Sequence, residues 1–134
     1  MLPRDDIIVQ TKVAPFATQK EFLDTFDKSM EYLQLENVDL LSLHGINNAQ
    51  FLDWSLRKGG CVEAIHRLID EGRAKHIGFS THASTHIIQS AIESDAFEYV
   101  NLHWYFVNDL NWSCVEAAAQ RDMGVFIILS LIHI

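Results

Sequence analysis

The sequence predicts an α/β protein built around a parallel sheet. Two observations carry that prediction. Short β-rich runs alternate with stretches of helical periodicity, and the five runs are joined by four segments long enough to hold a crossover helix. A third observation concerns function: each of the first four runs ends in polar residues, although a strand covered on both faces should stay apolar throughout.

Taken in order, Ile7-Ile8-Val9-Gln10-Thr11-Lys12-Val13 reads as the first strand, stopped by Ala14-Pro15. Thr18 and Glu21 form a capping box, in which each side chain can satisfy a free backbone donor. Phe22, Leu23, Phe26, Met30 and Leu33 then recur along one helical face. Val38 to His44 is the second strand, closed by Gly45, and a loop through Asn47, Asn48 and Trp54 leads to Gly59-Gly60. Val62, Ile65, Leu68 and Ile69 predict a helix with Gly72 as its C-terminal cap. His76-Ile77-Gly78-Phe79 is a short third strand ending at Ser80. Ile87, Ile88, Ala91 and Ile92 predict a helix capped by Ser84. Tyr99 to His103 is the fourth strand. Asn111 to Asp122 reads as a helix with Val115, Ala118 and Ala119 inward, and Met123-Gly124 leads into a fifth strand, Val125 to Ile128.

Composition narrows the function. A length of 134 residues suits one domain, spanning 1–134, and is enough to bury a core. Ten Lys+Arg against 18 Asp+Glu give a formal charge of −8, which argues against nucleic acid or an anionic membrane as partner. No apolar run approaches the roughly 20 residues of a spanning helix. The early acids Asp5 and Asp6 are unlike a secretory signal and read as a solvated lead-in to the strand. Cys61 and Cys114 lie far apart with no CxxC; they read as packing residues and reduced thiols of a cytoplasmic protein, with a bridge left open. His82, His86 and His103 have no acidic or cysteine ligand at zinc spacing, so no metal is expected. Gly59-Gly60 is too short for a phosphate loop.

In parallel sheets, ligands gather beyond the carboxyl ends of the strands, where the βα loops and helix N-termini converge. Strand side chains alternate, so Gln10 and Lys12 share one side of the first strand, and Ser42 and His44 one side of the second. Ser80 and Thr81 finish the third, and Asn101 and His103 lie near the end of the fourth. These residues are the candidate site.

Three stretches resemble the aldo/keto reductases, in order and in spacing. Asp6 to Val13 resembles that family's strand ending in Thr-Lys, and Asp39 to His44 its Asp-led strand ending in His. Glu71-Gly72-Arg73-Ala74-Lys75-His76-Ile77-Gly78-Phe79-Ser80 is similar to its most specific turn and strand. The Thr81-His82 ending is closer to a bacterial predicted-oxidoreductase branch. The resemblance implies a (β/α)₈ barrel of TIM type, here incomplete, with about five strands and four intervening helices. It implies NADPH-dependent reduction of an aldehyde or ketone, with NADH the less favoured donor. It also implies roles: Lys12 and His44 catalytic, Ser80, Thr81 and Asn101 holding the nicotinamide carboxamide, and a small carbonyl compound as substrate.

The departures carry expectations too. The family's Asp and Tyr come from the segment before the lysine strand, which would lie upstream of Met1, and Tyr32, Tyr99 and Tyr105 fall in none of the right motifs. After Ile128 the family's Ser-Pro is replaced by Leu129-Ser130, and the strand and loop that would grip the adenosine phosphate do not follow. The expectation is therefore a central barrel piece, inactive alone. Its runs at Ile7–Val13 and Val125–Ile128 would be unpaired edges that favour self-association. The alternatives are a non-catalytic cofactor-binding or interaction protein of the same descent, since some relatives act chiefly as regulatory subunits, and an unrelated α/β binding domain.

Overall fold

The computed structural model describes residues 3–128, with Asp5 described by its backbone alone; Met1-Leu2 and the divergent Leu129-Ser130 ending lie outside the described residues. A 3₁₀ turn at Arg4–Asp6 precedes β1 (Gln10–Val13), α1 (Gln19–Leu33), β2 (Val38–His44), α2 (Ala49–Leu56) and α3 (Cys61–Asp70). Then come β3 (Ala74–Ser80), α4 (Thr85–Glu93), β4 (Tyr99–Leu102), α5 (Trp112–Gln120) and β5 (Gly124–Ile127). The strands form one sheet in the order β1-β2-β3-β4-β5, and every pair is parallel.

A sequential order, with crossovers of one hand, puts the helices on one face of the sheet. Val13, Leu41, Leu43, Ile77, Phe79, Val100 and Leu102 line that face. They share a buried cluster with Phe22, Phe26, Ile65, Leu68, Ile88, Ile92 and Ala118 from the helices. The opposite face carries Gln10, Lys12, Ser42, His44, Gly78, Ser80, Tyr99 and Asn101, in register across the strands. It is polar, the pattern of a face turned toward a lumen.

Several boundaries differ from expectation for local reasons. β1 starts at Gln10 rather than Ile7, because the Val9 N–H is taken by the Asp39 carboxylate at 2.9 Å. The same carboxylate pairs with Arg4 at 2.9 Å and Lys75 at 2.8 Å, leaving Ile7 and Ile8 exposed. The stretch read as a loop contains α2. Asn48 caps it by accepting from the Phe51 N–H at 2.9 Å, and Ser55 donates back to the Phe51 carbonyl. Two helices therefore join β2 to β3, so five helices rather than four accompany the strands among the described residues. Ser84 occupies the N-cap position of α4 but makes no capping bond; its hydroxyl meets His86 Nδ1 at 3.0 Å. In α5 Cys114, Ala117 and Ala118 are buried and Val115 packs against the core, while Ala119 faces solvent.

Other expectations hold. Gly72 has φ +74°, its N–H bonds Ile69 O, and Arg73 N–H bonds Leu68 O, which closes α3 as a glycine-dependent turn. The capping box forms by half: Thr18 accepts from the Glu21 N–H at 3.3 Å, but the Glu21 carboxylate takes the Thr18 hydroxyl at 2.7 Å instead of a backbone N–H. Both cysteines are free and buried.

Candidate functional site

The register aligns the polar strand ends into layers. His44 lies opposite Ser80, and Ser80 opposite Asn101, so three adjacent strands contribute one residue each to a single row. Lys12 lies opposite Ser42, one layer deeper, on the same face. The strand ends meet loops at the carboxyl edge, where Gly45 turns the chain with φ +77°. That left-handed conformation lets Gly45 N–H and Ile46 N–H both bond the Ser80 carbonyl, at 2.9 and 3.0 Å, tying the β2 loop to the end of β3.

His44 is solvent-exposed at its rim, yet partial desolvation lowers its pKa, with the charges of Lys12 and His82 adding to the effect. Lys12 and His44 are therefore electrostatic neighbours, as the strand alternation requires. His103 is lowered for the same reason, desolvation first and His82 second. The His82 and His103 rings meet edge-on at 4.5 Å, beside His44. Among the described residues, no three His, Cys, Asp or Glu side chains converge to hold a metal ion.

Ser80 is buried, and its Oγ accepts from the Gly45 N–H at 3.2 Å, which leaves the hydroxyl hydrogen with no acceptor among the described residues. Asn101 is only 3% exposed; its Oδ1 accepts from Gln10 Nε2 at 3.0 Å and from Ser42 Oγ at 3.4 Å. Thr81 behaves differently. Its buried hydroxyl donates to Ile46 O at 2.8 Å and accepts from the Ala83 N–H at 3.0 Å, so it fastens the two loops together rather than facing the row. The donors Ser80 and Asn101 fit a planar amide ligand such as a nicotinamide carboxamide, which offers one acceptor oxygen and one donor nitrogen.

Two features escaped the sequence. Tyr99 read only as the start of a strand, yet its phenol lies 2.9 Å from Ser42 Oγ inside the polar face. Burial pushes its pKa up, so it stays protonated. The signal was available, since Tyr99 and Asn101 are two apart on one strand. The second is the β4–α5 loop, where Trp104, Phe106, Asp109 and Trp112 line an open pocket of about 310 Å³ on the same edge. The Trp104 and Trp112 rings pack at 5.2 Å, and Phe106 is exposed.

The fold has close counterparts. An aldo-keto reductase from Bacillus halodurans, in its holo form, superposes with a TM-score of 0.76 at 18% identity, covering 92% of this chain and 43% of that one. A reductase from Brucella melitensis gives 0.73 at 21% identity, covering 92% and 47%. An aldose reductase from Giardia lamblia gives 0.72 at 16% identity, covering 96% and 47%. The chain thus spans about half the length of the solved structures it matches, five strand–helix units of an incomplete (β/α)₈ barrel. No curated protein matches the sequence. Residues 1–128 match the sequence profile of the aldo/keto reductases, and the chain belongs to the aldo/keto reductase family.

Proposed function

We propose that this chain carries the lysine–histidine half of the active site of an NADPH-dependent reductase of aldehydes and ketones. The observation that supports the reading most is the row His44–Ser80–Asn101 in register, with Lys12 on the adjoining strand close enough to depress His44 protonation. When bound, the nicotinamide cofactor supplies the hydride. Ser80 and Asn101 hold its carboxamide, and Thr81 fixes the loop geometry around them. His44, kept neutral near pH 7, hydrogen-bonds the substrate carbonyl oxygen, and the Lys12 ammonium stabilises negative charge developing there. NADPH is preferred to NADH by family resemblance. Free, buried thiols fit a cytoplasmic setting, and no described helix is long and apolar enough to cross a membrane.

A non-catalytic, cofactor-binding role is the second reading, favoured by the tyrosines. A proton donor for carbonyl reduction needs a pKa lowered toward neutrality, whereas burial drives that of Tyr99 upward. Tyr32 lies exposed on the outside of α1.

The test is NADPH binding followed by cofactor fluorescence, together with aldehyde-dependent oxidation of the bound cofactor. The expected result is binding weakened by Lys12→Met and Asn101→Leu, with little or no turnover by this chain. Absence of binding by both NADPH and NADH overturns the proposal. Efficient turnover removes the non-catalytic reading and the expectation of inactivity.

A further inference from the structure

Beneath Asn101 lies a connected set of polar side chains that the reaction itself does not require. Gln10 Nε2 donates to Ser42 Oγ and to Asn101 Oδ1, each at 3.0 Å. Ser42 Oγ is 2.9 Å from the Tyr99 hydroxyl and 3.4 Å from Asn101 Oδ1. Counting hydrogens assigns the directions. Gln10 has two amide hydrogens, one for each acceptor. Ser42 has a single hydrogen, which Asn101 Oδ1 takes, so Tyr99 must donate to Ser42. Protonated Tyr99 can do so.

Every donor in the set therefore ends on Asn101 Oδ1, directly or through Ser42. A planar amide with its oxygen held by two donors has its nitrogen fixed at the opposite corner. Asn101 Nδ2 has no acceptor among the described residues, and Asn101 sits in the row at the carboxyl edge of the sheet, beside Ser80.

We infer that Gln10, Ser42 and Tyr99 are positioning residues that lock the Asn101 amide with Nδ2 presented to the carbonyl oxygen of a nicotinamide carboxamide. This rests on the reading of the site given above. The physical reason for the set is preorganisation. An unsupported Asn side chain would sample both amide orientations and lose part of its binding energy on each encounter, whereas this one is held before the ligand arrives. Apolar residues of the same shape would fill the space equally well but would leave the amide unoriented. Tyr99 is itself held in place, because its ring lies against Gly78, where no side chain competes for the space.

The test compares NADP⁺ with its thionicotinamide analogue, in which sulfur replaces the carboxamide oxygen, titrated into the whole chain and followed by NMR shifts. Sulfur is a poor acceptor, so wild type is expected to favour NADP⁺ by about 5–10-fold, the worth of one hydrogen bond. Ser42→Ala and Tyr99→Phe are expected to bring that ratio below about 2-fold, as Asn101→Leu should. A purely structural role would weaken both ligands equally and leave the ratio intact. Tyr99→Phe keeps the ring against Gly78, so it remains informative if Ser42→Ala does not fold. A wild-type preference that persists in Tyr99→Phe overturns the positioning role and leaves the site proposal standing. No binding of NADP⁺ by wild type overturns both.

Discussion

The ring of Tyr99 occupies the space that a side chain on Gly78 would need. A Cβ built at Gly78 would fall 2.4 Å from the Tyr99 ring carbons, well inside van der Waals contact. The two residues are register partners on β3 and β4, and the close approach carries the phenol to Ser42. Gly78 thus links a sequence feature of the third strand to the polar layer under the candidate site.

Gly78→Ala should therefore do more than add a methyl group. Either Tyr99 swings away from Ser42 or the strands part, and overpacking of this kind costs about 1–3 kcal/mol. The expected result is a thermal midpoint several degrees below wild type, with the Tyr99 environment altered in near-ultraviolet absorption. An unchanged midpoint would show that the ring relocates freely.

Lys12→Met should raise the His44 pKa, because it removes one of the charges that oppose imidazole protonation. Burial remains, so the value should stay below the ordinary 6.5. Titration of the His44 ring resonances measures this directly. A shift in the other direction would mean that Lys12 and His44 do not share a site. In any complete form of the enzyme, the same change should lower the rate by about 10²–10⁴-fold.

Stability should fall in two stages as the solution is acidified. His44 and His103 have depressed pKa values when folded, so below about pH 6.5 the unfolded chain takes up protons first and gains on the native state. Asp39 is held well below the usual carboxylate range, first by the Lys75 hydrogen bond, then by the Val9 N–H, with Arg4 beside it. Its contribution is fully present above about pH 4 and is lost as pH falls toward the folded value. Denaturation midpoints measured from pH 8 to pH 2 should show both limbs, and Asp39→Asn should flatten only the lower one.

The chain should self-associate. Among the described residues β1 pairs only with β2, and β5 only with β4, while Ile8 is 80% and Phe126 44% exposed beside these edges. Exposed, unpaired strand edges recruit further strands. Sedimentation velocity should show coefficients that rise with concentration, reduced by Phe126→Lys. A single monomeric species across the range would contradict the expectation.

Period picked out the five strands and four of the five helices among the described residues, because helix and strand impose different spacings on apolar residues; α2 was missed. Val38–His44 was legible end to end, and so was the face of α1 carrying Phe22, Phe26 and Met30. Motif and alternation together nominated Lys12, His44, Ser80 and Asn101 as candidates, since a polar residue at the end of a buried strand is costly without a use. Local competition for hydrogen bonds was not legible. Asp39 reaches back to the Val9 N–H and shortens β1, Asn48 caps the stretch read as a loop and starts α2, and Thr81 spends its hydroxyl on Ile46 and Ala83. Nor could the sequence show that the Tyr99 hydroxyl, 57 residues from Ser42 along the chain, shares a hydrogen bond with it. Such pairings depend on strand register and on one bare glycine between neighbouring strands. Sequence determined the elements and the chemistry available at their ends; only the tertiary structure decided which polar groups satisfy one another and which remain to meet a ligand.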